Sequence, residues 1–196
     1  MKPKVLTVRL SPIVCLLIIL LAACNSDDPS NSRAPVISAP PRTSLPMPPL
    51  SGNSLANMGW TLANRGRTNI SQQQGKVLIL DFYATWCLPC RESIPHLIEL
   101  QGHYKNDLSV VGLNVGGPED LAEVPAFARE FNIQYPLGIP DDELVSFLLA
   151  DSDAIPQTFV FDRTGKLIRR FVGFDERTGK EINQIVEKAV QTASDQ

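Results

Sequence analysis

The sequence predicts an α/β fold in which a central mixed sheet is covered by helices on both faces. From residue 59 onward, segments with strand and helix patterns alternate, and the chain ends in a predicted hairpin followed by a helix. Strands interleaved with helices give a layered fold, and the hairpin adds antiparallel pairing to it. The 13 aromatic residues (2 Trp, 3 Tyr and 8 Phe) all lie at or after Trp60. We therefore expect one folded domain, residues 55–196.

The first half of this domain has the patterns of a hairpin, a buried strand and a helix. Gly59–Ala63 and Arg67–Ile70 are predicted as short strands around a turn that contains Gly66. Lys76–Tyr83 is apolar over the length of a strand, which is typical of a central strand covered on both faces. A helix follows, because apolar residues recur at helical spacing as far as Tyr104.

The second half continues the alternation and ends in a helix. Pro118 is placed to begin a helix, since its missing N–H costs little in a first turn. The predicted elements are a strand at Leu108–Val115, helices at Pro118–Phe131 and Asp141–Leu149, a hairpin of Phe159–Phe161 and Lys166–Val172 around the turn Asp162–Gly165, and an amphipathic helix at Thr178–Thr192.

The N-terminus has the pattern of an export signal. Three basic residues precede the apolar run Ile13–Ala23, which is shorter than the roughly 20 residues of a membrane-spanning helix. Leu21–Cys24 resembles the lipobox of bacterial lipoproteins. The resemblance implies that residues 1–23 are a lipoprotein signal peptide and that Cys24 becomes the acylated first residue. The alternative is an ordinary secretory signal with a cysteine there by chance.

Residues 24–54 are predicted to be an acylated N-terminus with a flexible tether. Residues 25–50 hold seven of the 16 prolines and no aromatic residue, so they bury too little surface to fold. As a coil they would span on the order of 30 Å, and more with their proline content. By resemblance to lipoprotein sorting in Gram-negative bacteria, Asn25 favours the outer membrane, with the domain facing the periplasm.

Composition and charge exclude several classes of function. The formal charge is −3 with no basic run, so we expect no nucleic-acid partner. Four cysteines are too few for a disulfide scaffold. Zinc needs four ligands, but the two histidines, His96 and His103, lie on the helix after Cys90 rather than in a second ligand pair. We therefore expect no metal and no cofactor.

The reactive chemistry of the sequence is concentrated at Cys87 and Cys90, which follow a buried strand and open a helix. A cysteine in a first helical turn meets unpaired amide N–H groups and the positive end of the helix dipole, which favour the thiolate. We expect Cys87 to be the exposed nucleophile and Cys90 the inward-pointing resolving thiol. A purely structural disulfide is the alternative, although a bridge across so short a loop constrains the unfolded chain little.

Longer segments around this pair resemble a known family. The phrases WCLPCRESIP and IPQTFVFDRTGKLIRRFVG, with Asp81 six residues before Cys87, resemble the TlpA/ResA group of thioredoxin-fold thiol-disulfide oxidoreductases over residues 60–192. The resemblance implies a thioredoxin-like fold in which Pro156 is a cis-proline facing the cysteines, and in which the backbone of Ile155 is presented to a substrate peptide. The predicted substrate contacts are Trp86, Leu88, Pro89 and Ile155.

Asp81 matches the buried carboxylate of thioredoxins. Within an apolar strand its pKa should be raised, so it could exchange a proton with Cys90 during resolution. The alternative is a hydrated carboxylate at the end of the sheet. The chain departs from the group at Ser93, where members often carry Glu, so cytochrome c maturation is not implied. Asn114–Ala154 resembles the central insertion of the group.

Together these features predict a periplasmic, membrane-anchored oxidoreductase that reduces protein disulfides. Leu88-Pro89 resembles the reducing members of the fold, and such a reductase needs a membrane protein as electron donor. One alternative is a redoxin-type, peroxiredoxin-like peroxide reductase; there a Thr normally precedes the reactive cysteine by three positions, whereas Thr85 lies two before Cys87. A non-enzymatic lipoprotein that uses the fold for binding is the other.

Overall fold

The computed structural model describes residues 53–63 and 66–192. The signal peptide, Cys24 and nearly all of the tether predicted from the sequence lie outside these residues. The elements are α1 (Asn53–Asn57), β1 (Gly59–Leu62), β2 (Gly66–Asn69), a short 3-10 helix (Ile70–Gln73), β3 (Val77–Tyr83), α2 (Leu88–Tyr104), β4 (Leu108–Asn114), α3 (Pro118–Glu130), β5 (Leu137–Pro140), α4 (Asp142–Leu148), β6 (Gln157–Phe161), β7 (Leu167–Val172) and α5 (Glu176–Gln191).

The described strands form one mixed sheet in the order β2-β1-β5-β4-β3-β6-β7. β3 lies between β4 and β6, pairing parallel with β4 and antiparallel with β6. β5 pairs parallel with β4 and antiparallel with β1, so it joins the N-terminal hairpin to the rest of the sheet. The predicted mixed sheet with helices on both faces is confirmed.

The residues of β3 alternate between two cores. Every β3 side chain is buried. Leu78, Leu80 and Phe82 join the core on the face covered by α1 and α4. Val77 and Ile79 join the core on the face covered by α2 and α5. Because successive side chains of a strand point to opposite faces, Asp81 lies on the same face as Ile79, beneath α2.

The structure adds three elements that the sequence patterns did not predict: α1, the 3-10 helix and β5. β5 lies inside the segment that resembles a central insertion, and its residues, Leu137–Pro140, include a glycine and a proline. Such a segment has little strand propensity of its own and is held by pairing on both sides. Across the described ranges, no helix combines the length and the apolar composition needed to cross a membrane.

Candidate active site

The two cysteines lie at the junction between β3 and α2. The N–H of Cys87 donates to the carbonyl of Ala84 at 3.2 Å, which closes a turn over residues 84–87, and α2 begins at Leu88. Cys87 is the N-cap of α2, and its Sγ accepts the N–H of Cys90 at 3.2 Å. The two sulfurs form a disulfide of 2.05 Å. A negative charge that develops on Cys87 Sγ would therefore meet a first-turn amide and the positive end of the helix dipole.

The two sulfurs differ in accessibility less than the sequence predicts. Cys90 is fully buried, as expected for an inward-pointing residue, but Cys87 is only 5% exposed. The expected exposed nucleophile is thus corrected to a cysteine that is almost completely buried. The cause is close packing: Cys87 belongs to a cluster with Tyr83 and Ile94, and the carbonyl oxygen of Ile155 lies 3.7 Å from its Sγ.

An apolar rim surrounds this sulfur. Trp86 and Leu88 are 68% and 67% exposed, although both are large apolar side chains. Pro89 beside them is also exposed, and Ile155 is half-buried. Large apolar side chains left in water next to a reactive group are typical of a surface that binds another molecule. The structure therefore brings together the four residues predicted as substrate contacts.

The loop that carries Ile155 is fixed from below by Gln157. The Ile155–Pro156 peptide bond is cis, as the family resemblance implies. The buried amide of Gln157 donates to the carbonyls of Ser152 and Ala154, each at 2.8 Å. Its oxygen accepts the Nε–H of Arg170 at 2.9 Å. The residue directly after the proline thus ties the loop before it to the sheet, a role that the sequence pattern did not reveal.

Asp81 is buried beneath α2, with 1% of its surface exposed. It lies in register with Thr158 of β6, whose hydroxyl donates to Asp81 Oδ1 at 2.8 Å. Burial raises the pKa of Asp81 to about 7, although the Thr158 hydrogen bond acts in the opposite direction. The alternative of a hydrated carboxylate at the end of the sheet is wrong.

The lack of a side chain at Gly112 allows neighbouring side chains to pack closely around the Asp81 carboxylate. Gly112 of β4 is paired with Asp81 in the parallel register. A Cβ at Gly112 would come within 2.6 Å of Leu137, 3.2 Å of Tyr83 and 3.4 Å of Tyr135. The absence of a side chain lets these three residues close over the strand, which excludes water from the Asp81 side of the sheet.

A second buried carboxylate, Asp120, lies at the other side of the cysteine loop. It accepts the N–H of Thr85 at 3.1 and 3.2 Å, the hydroxyl of Thr85, and the amide of Asn114 at 2.6 Å. Burial acts to raise the pKa of Asp120, but the hydrogen bonds from Thr85 and Asn114 outweigh it, so its pKa is lowered. Sequence reasoning missed this residue, since nothing local marks a contact between positions 85 and 120.

The remaining polar residues near the pair have simpler surroundings. Ser93, where the TlpA/ResA group often carries Glu, is buried, and its hydroxyl donates to the carbonyl of Cys90 at 2.9 Å. His96 is half-buried and His103 exposed on α2. Among residues 53–63 and 66–192, no three His, Cys, Asp or Glu side chains gather so that they could hold a metal ion.

Comparison with known proteins agrees with this geometry. Residues 52–170 match the AhpC/TSA family. The chain is 28% identical over 123 residues to the thiol-disulfide oxidoreductase ResA of Bacillus subtilis strain 168, covering 62% of this chain and 67% of ResA. It is 32% identical over 121 residues to the thioredoxin-like protein YneN of the same strain, covering 60% and 68%. The match therefore spans about two thirds of each relative's length.

Solved structures show the same architecture. A thiol:disulfide interchange protein of the thioredoxin family from Chlorobium tepidum TLS superposes with a TM-score of 0.57 at 26% identity, covering 67% of this chain and 92% of that protein. The thioredoxin-like fold predicted from the sequence is thereby confirmed. This chain belongs to the AhpC/TSA family and is a thiol-disulfide oxidoreductase with a thioredoxin-like fold.

Proposed function

We propose that this protein reduces disulfides of other proteins in the periplasm while anchored to a membrane by a lipid on Cys24. The observation that carries the reductase proposal is the position of Cys87 Sγ. It lies between the N–H of Cys90 and the carbonyl of Ile155, at the centre of an exposed apolar rim. A peptide bound on that rim would present its disulfide to Cys87, the less buried of the two cysteines.

In the first step, the Cys87 thiolate attacks one sulfur of the substrate disulfide. A mixed disulfide forms between Cys87 and the substrate, the substrate S–S bond breaks, and the second substrate sulfur leaves as a thiolate that takes a proton from water. The first-turn amide of Cys90 and the helix dipole stabilise the attacking thiolate before this step. Trp86 and Leu88 supply apolar contacts to the peptide on either side of the disulfide.

In the second step, Cys90 resolves the mixed disulfide. Its proton passes to the carboxylate of Asp81, whose pKa of about 7 suits it to hold and release a proton near neutrality. The Cys90 thiolate attacks Cys87 Sγ, which forms the Cys87–Cys90 disulfide and releases the other substrate sulfur as a thiolate. The substrate gains two electrons and the protein loses two.

Two features support the transfer of electrons from this protein to the substrate. Leu88-Pro89 resembles the pair between the cysteines of reducing members of the fold, and Asp81 assists the step that releases reduced substrate. We expect a reduction potential near the thioredoxin end of the range, at about −270 mV rather than about −120 mV. Because cytosolic donors do not reach the periplasm, a membrane protein must return the electrons.

The membrane attachment follows from the N-terminal sequence. Acylation at Cys24 would hold the domain at a bilayer, and the tether would let it reach between about 30 Å as a coil and about 80 Å when extended. Asn25 favours the outer membrane. Replacing Cys24 by Ser should release the protein from the membrane fraction or leave an unprocessed precursor, measured by fractionation and intact mass. Membrane association with an unchanged mass would refute the lipid anchor.

The exchange mechanism is tested by trapping. Reduced full-length Cys90→Ala is mixed with a disulfide-bonded protein and should accumulate a mixed disulfide through Cys87, seen on non-reducing gels and by peptide mass spectrometry. Cys87→Ala should trap nothing, and the double variant controls for other cysteines. In the reduced wild type, an alkylating agent should modify Cys87 before Cys90. Preferential labelling of Cys90 would reverse the assignment.

The same preparation separates the other classes of function. A peroxide reductase would consume hydrogen peroxide rapidly and form no mixed disulfide with a protein substrate. A binding protein would neither consume hydrogen peroxide nor form a mixed disulfide. A measured potential near the oxidising end would refute the reductase direction while leaving thiol-disulfide exchange in place.

A further inference from the structure

Thr85 occupies an unusual position in the cysteine loop. The turn closed by the Cys87 N–H and the Ala84 carbonyl has Thr85 and Trp86 at its two central positions. Thr85 therefore directly precedes the exposed Trp86 and stands two residues before Cys87, the N-cap of α2. Its own side chain is buried, and its hydroxyl is bound to Asp120.

All three polar groups of Thr85 are bound by charged side chains. Its N–H and its hydroxyl both donate to the Asp120 carboxylate. Its carbonyl accepts Nη1–H of Arg91 at 3.2 Å. Asp120 lies on α3 and Arg91 on α2, so side chains of two different helices bind one residue of the loop.

The surroundings of Asp120 are built for this contact. Its carboxylate is also bound by Asn114 at the end of β4, whose own oxygen accepts the N–H of Gly116 at 3.1 Å. A Cβ at Gly116 would overlap the Asp120 carboxylate, so only glycine allows the chain to pass this close. A buried carboxylate is costly unless its oxygens are hydrogen-bonded, and here the loop supplies two of the three donor groups.

Arg91 is itself held by α3. Its guanidinium forms an ion pair with Glu130 and lies over the ring of Phe131, 4.8 Å from the centroid, and over that of Phe127, 5.4 Å from the centroid. Asp120 lies in the first turn of α3 and Glu130 is its last residue, so the helix binds Thr85 directly at one end and through Arg91 at the other. The first turn of α2 cannot shift against β3 without breaking these contacts.

We infer that Asp120 and Thr85 are positioning residues for the thiol-disulfide exchange proposed above, and that their hydrogen bonds hold Cys87 Sγ against the Cys90 N–H in the reduced protein. In the disulfide, the covalent bond keeps the two residues together without help. After reduction that bond is gone, and only the fixed turn keeps the sulfur at the amide. The pair thus acts mainly on the dithiol form, by lowering its free energy relative to the disulfide.

The test compares two substitutions at position 85 in the full chain. Thr85→Val removes the hydroxyl but keeps the shape and the N–H, whereas Thr85→Ser keeps the hydroxyl. We expect Thr85→Val to slow alkylation of Cys87 by about threefold at about pH 6, because a smaller fraction of the Cys87 side chain is then in the thiolate form. We expect the equilibrium with the glutathione couple to shift toward the disulfide by a similar factor. Thr85→Ser should keep the alkylation rate and the glutathione equilibrium near their wild-type values.

Thr68→Val is the matched control. Thr68 lies on β2, the edge strand farther from β3, and its hydroxyl donates to Gln72 at 2.8 Å. The substitution removes this hydroxyl. It should leave both quantities unchanged even if it lowers stability. A purely structural role for Thr85 would lower the unfolding midpoint of Thr85→Val without moving the equilibrium with glutathione, and that result would overturn the inference.

A second variant guards against a Thr85→Val protein that does not fold. Arg91→Lys keeps the positive charge near Cys87 but cannot reach both the Thr85 carbonyl and Glu130 with a planar fork. It should shift the glutathione equilibrium in the same direction as Thr85→Val. If Cys90→Ala traps no mixed disulfide at all, the proposed function fails; if it does and neither Thr85→Val nor Arg91→Lys shifts the glutathione equilibrium, only the positioning role fails.

Discussion

The loop Ala84–Cys87 and the loop Asp151–Pro156 meet at Cys87 Sγ, but they are held by different kinds of contact. The cysteine loop is bound through Thr85 to the buried carboxylate of Asp120. The Ile155 loop is tied by neutral hydrogen bonds from the buried amide of Gln157.

The outer support of the second loop is exposed. Arg170 joins Gln157 to Asp151, and the side chain of Asp151 is 74% exposed. Exposed ion pairs stabilise proteins by about 0 to 1 kcal/mol, whereas buried hydrogen bonds to a charge contribute roughly 1.5–3 kcal/mol each. The loop that carries Cys87 is therefore held by the stronger contacts, and the loop that presents the backbone of Ile155 is held by the weaker ones.

Removing Asp120 should cause the largest loss of stability among the residues that hold the two loops. Asp120→Ala leaves the Thr85 N–H, the Thr85 hydroxyl and the Asn114 amide without their acceptor in the interior. Each buried donor without a partner costs about 1–3 kcal/mol, so we expect a loss of about 5 kcal/mol in the free energy of unfolding. Urea unfolding of the oxidised protein at neutral pH measures it. A loss below about 1 kcal/mol would remove the distinction between the two loops.

Asp81 lies between the loops, on the strand that leads to the cysteines and opposite Thr158 on the strand that leaves Pro156. Its pKa is raised from 3.8 to about 7 in the folded protein, so the folded state holds a proton that the unfolded state releases. Stability should therefore fall as pH rises from about 4 to about 7, by on the order of 4 kcal/mol, and stay level above that range.

Asp81→Asn keeps the shape and an acceptor for Thr158 without the charge. It should be more stable than the wild type at about pH 8 and should flatten the dependence of stability on pH between about 4 and 7. Unfolding of the oxidised form across pH measures this directly. Identical pH profiles for the two proteins would show that Asp81 titrates as an ordinary carboxyl.

The weaker loop gives the smallest effects. Gln157→Ala should cost about 2–3 kcal/mol because two backbone carbonyls lose their donor, whereas Asp151→Ala should cost less than about 1 kcal/mol. Gln157→Ala should also slow exchange with a protein disulfide while leaving alkylation of Cys87 by a small reagent unchanged. Equal losses of stability in the two variants would contradict the division between an inner and an outer support.

The parts of the site that were predictable from the sequence are contiguous along the chain. Cys87 and Cys90 could be recognised because a buried strand precedes them and helical spacing follows. Asp81 was predictable as buried because its neighbours in the strand are apolar. The cis bond at Pro156 was implied only by family resemblance, since the isomer leaves no local trace.

The supporting residues were not predictable, for physical reasons. Thr85 and Asp120 are 35 positions apart, and no periodic pattern links the end of a strand to the first turn of a later helix. Asp120 alone has the pattern of an ordinary acidic residue at a helix N-terminus. β5 was missed because its residues, Leu137–Pro140, have low strand propensity and form a strand only where β1 and β4 offer partners.

The open sheet has a consequence for association between copies of the protein. In the described part of the chain, β2 and β7 each pair on one side only, and Ile168 and Val172 are exposed on β7. Unpaired strand edges with apolar side chains invite another chain to add a strand and begin an aggregate. Arg67 on β2 is already paired with Asp141, whereas Arg169 stands exposed on β7, so two β7 edges that met would bring guanidinium groups together. We expect crowded copies to remain separate rather than to fuse their sheets.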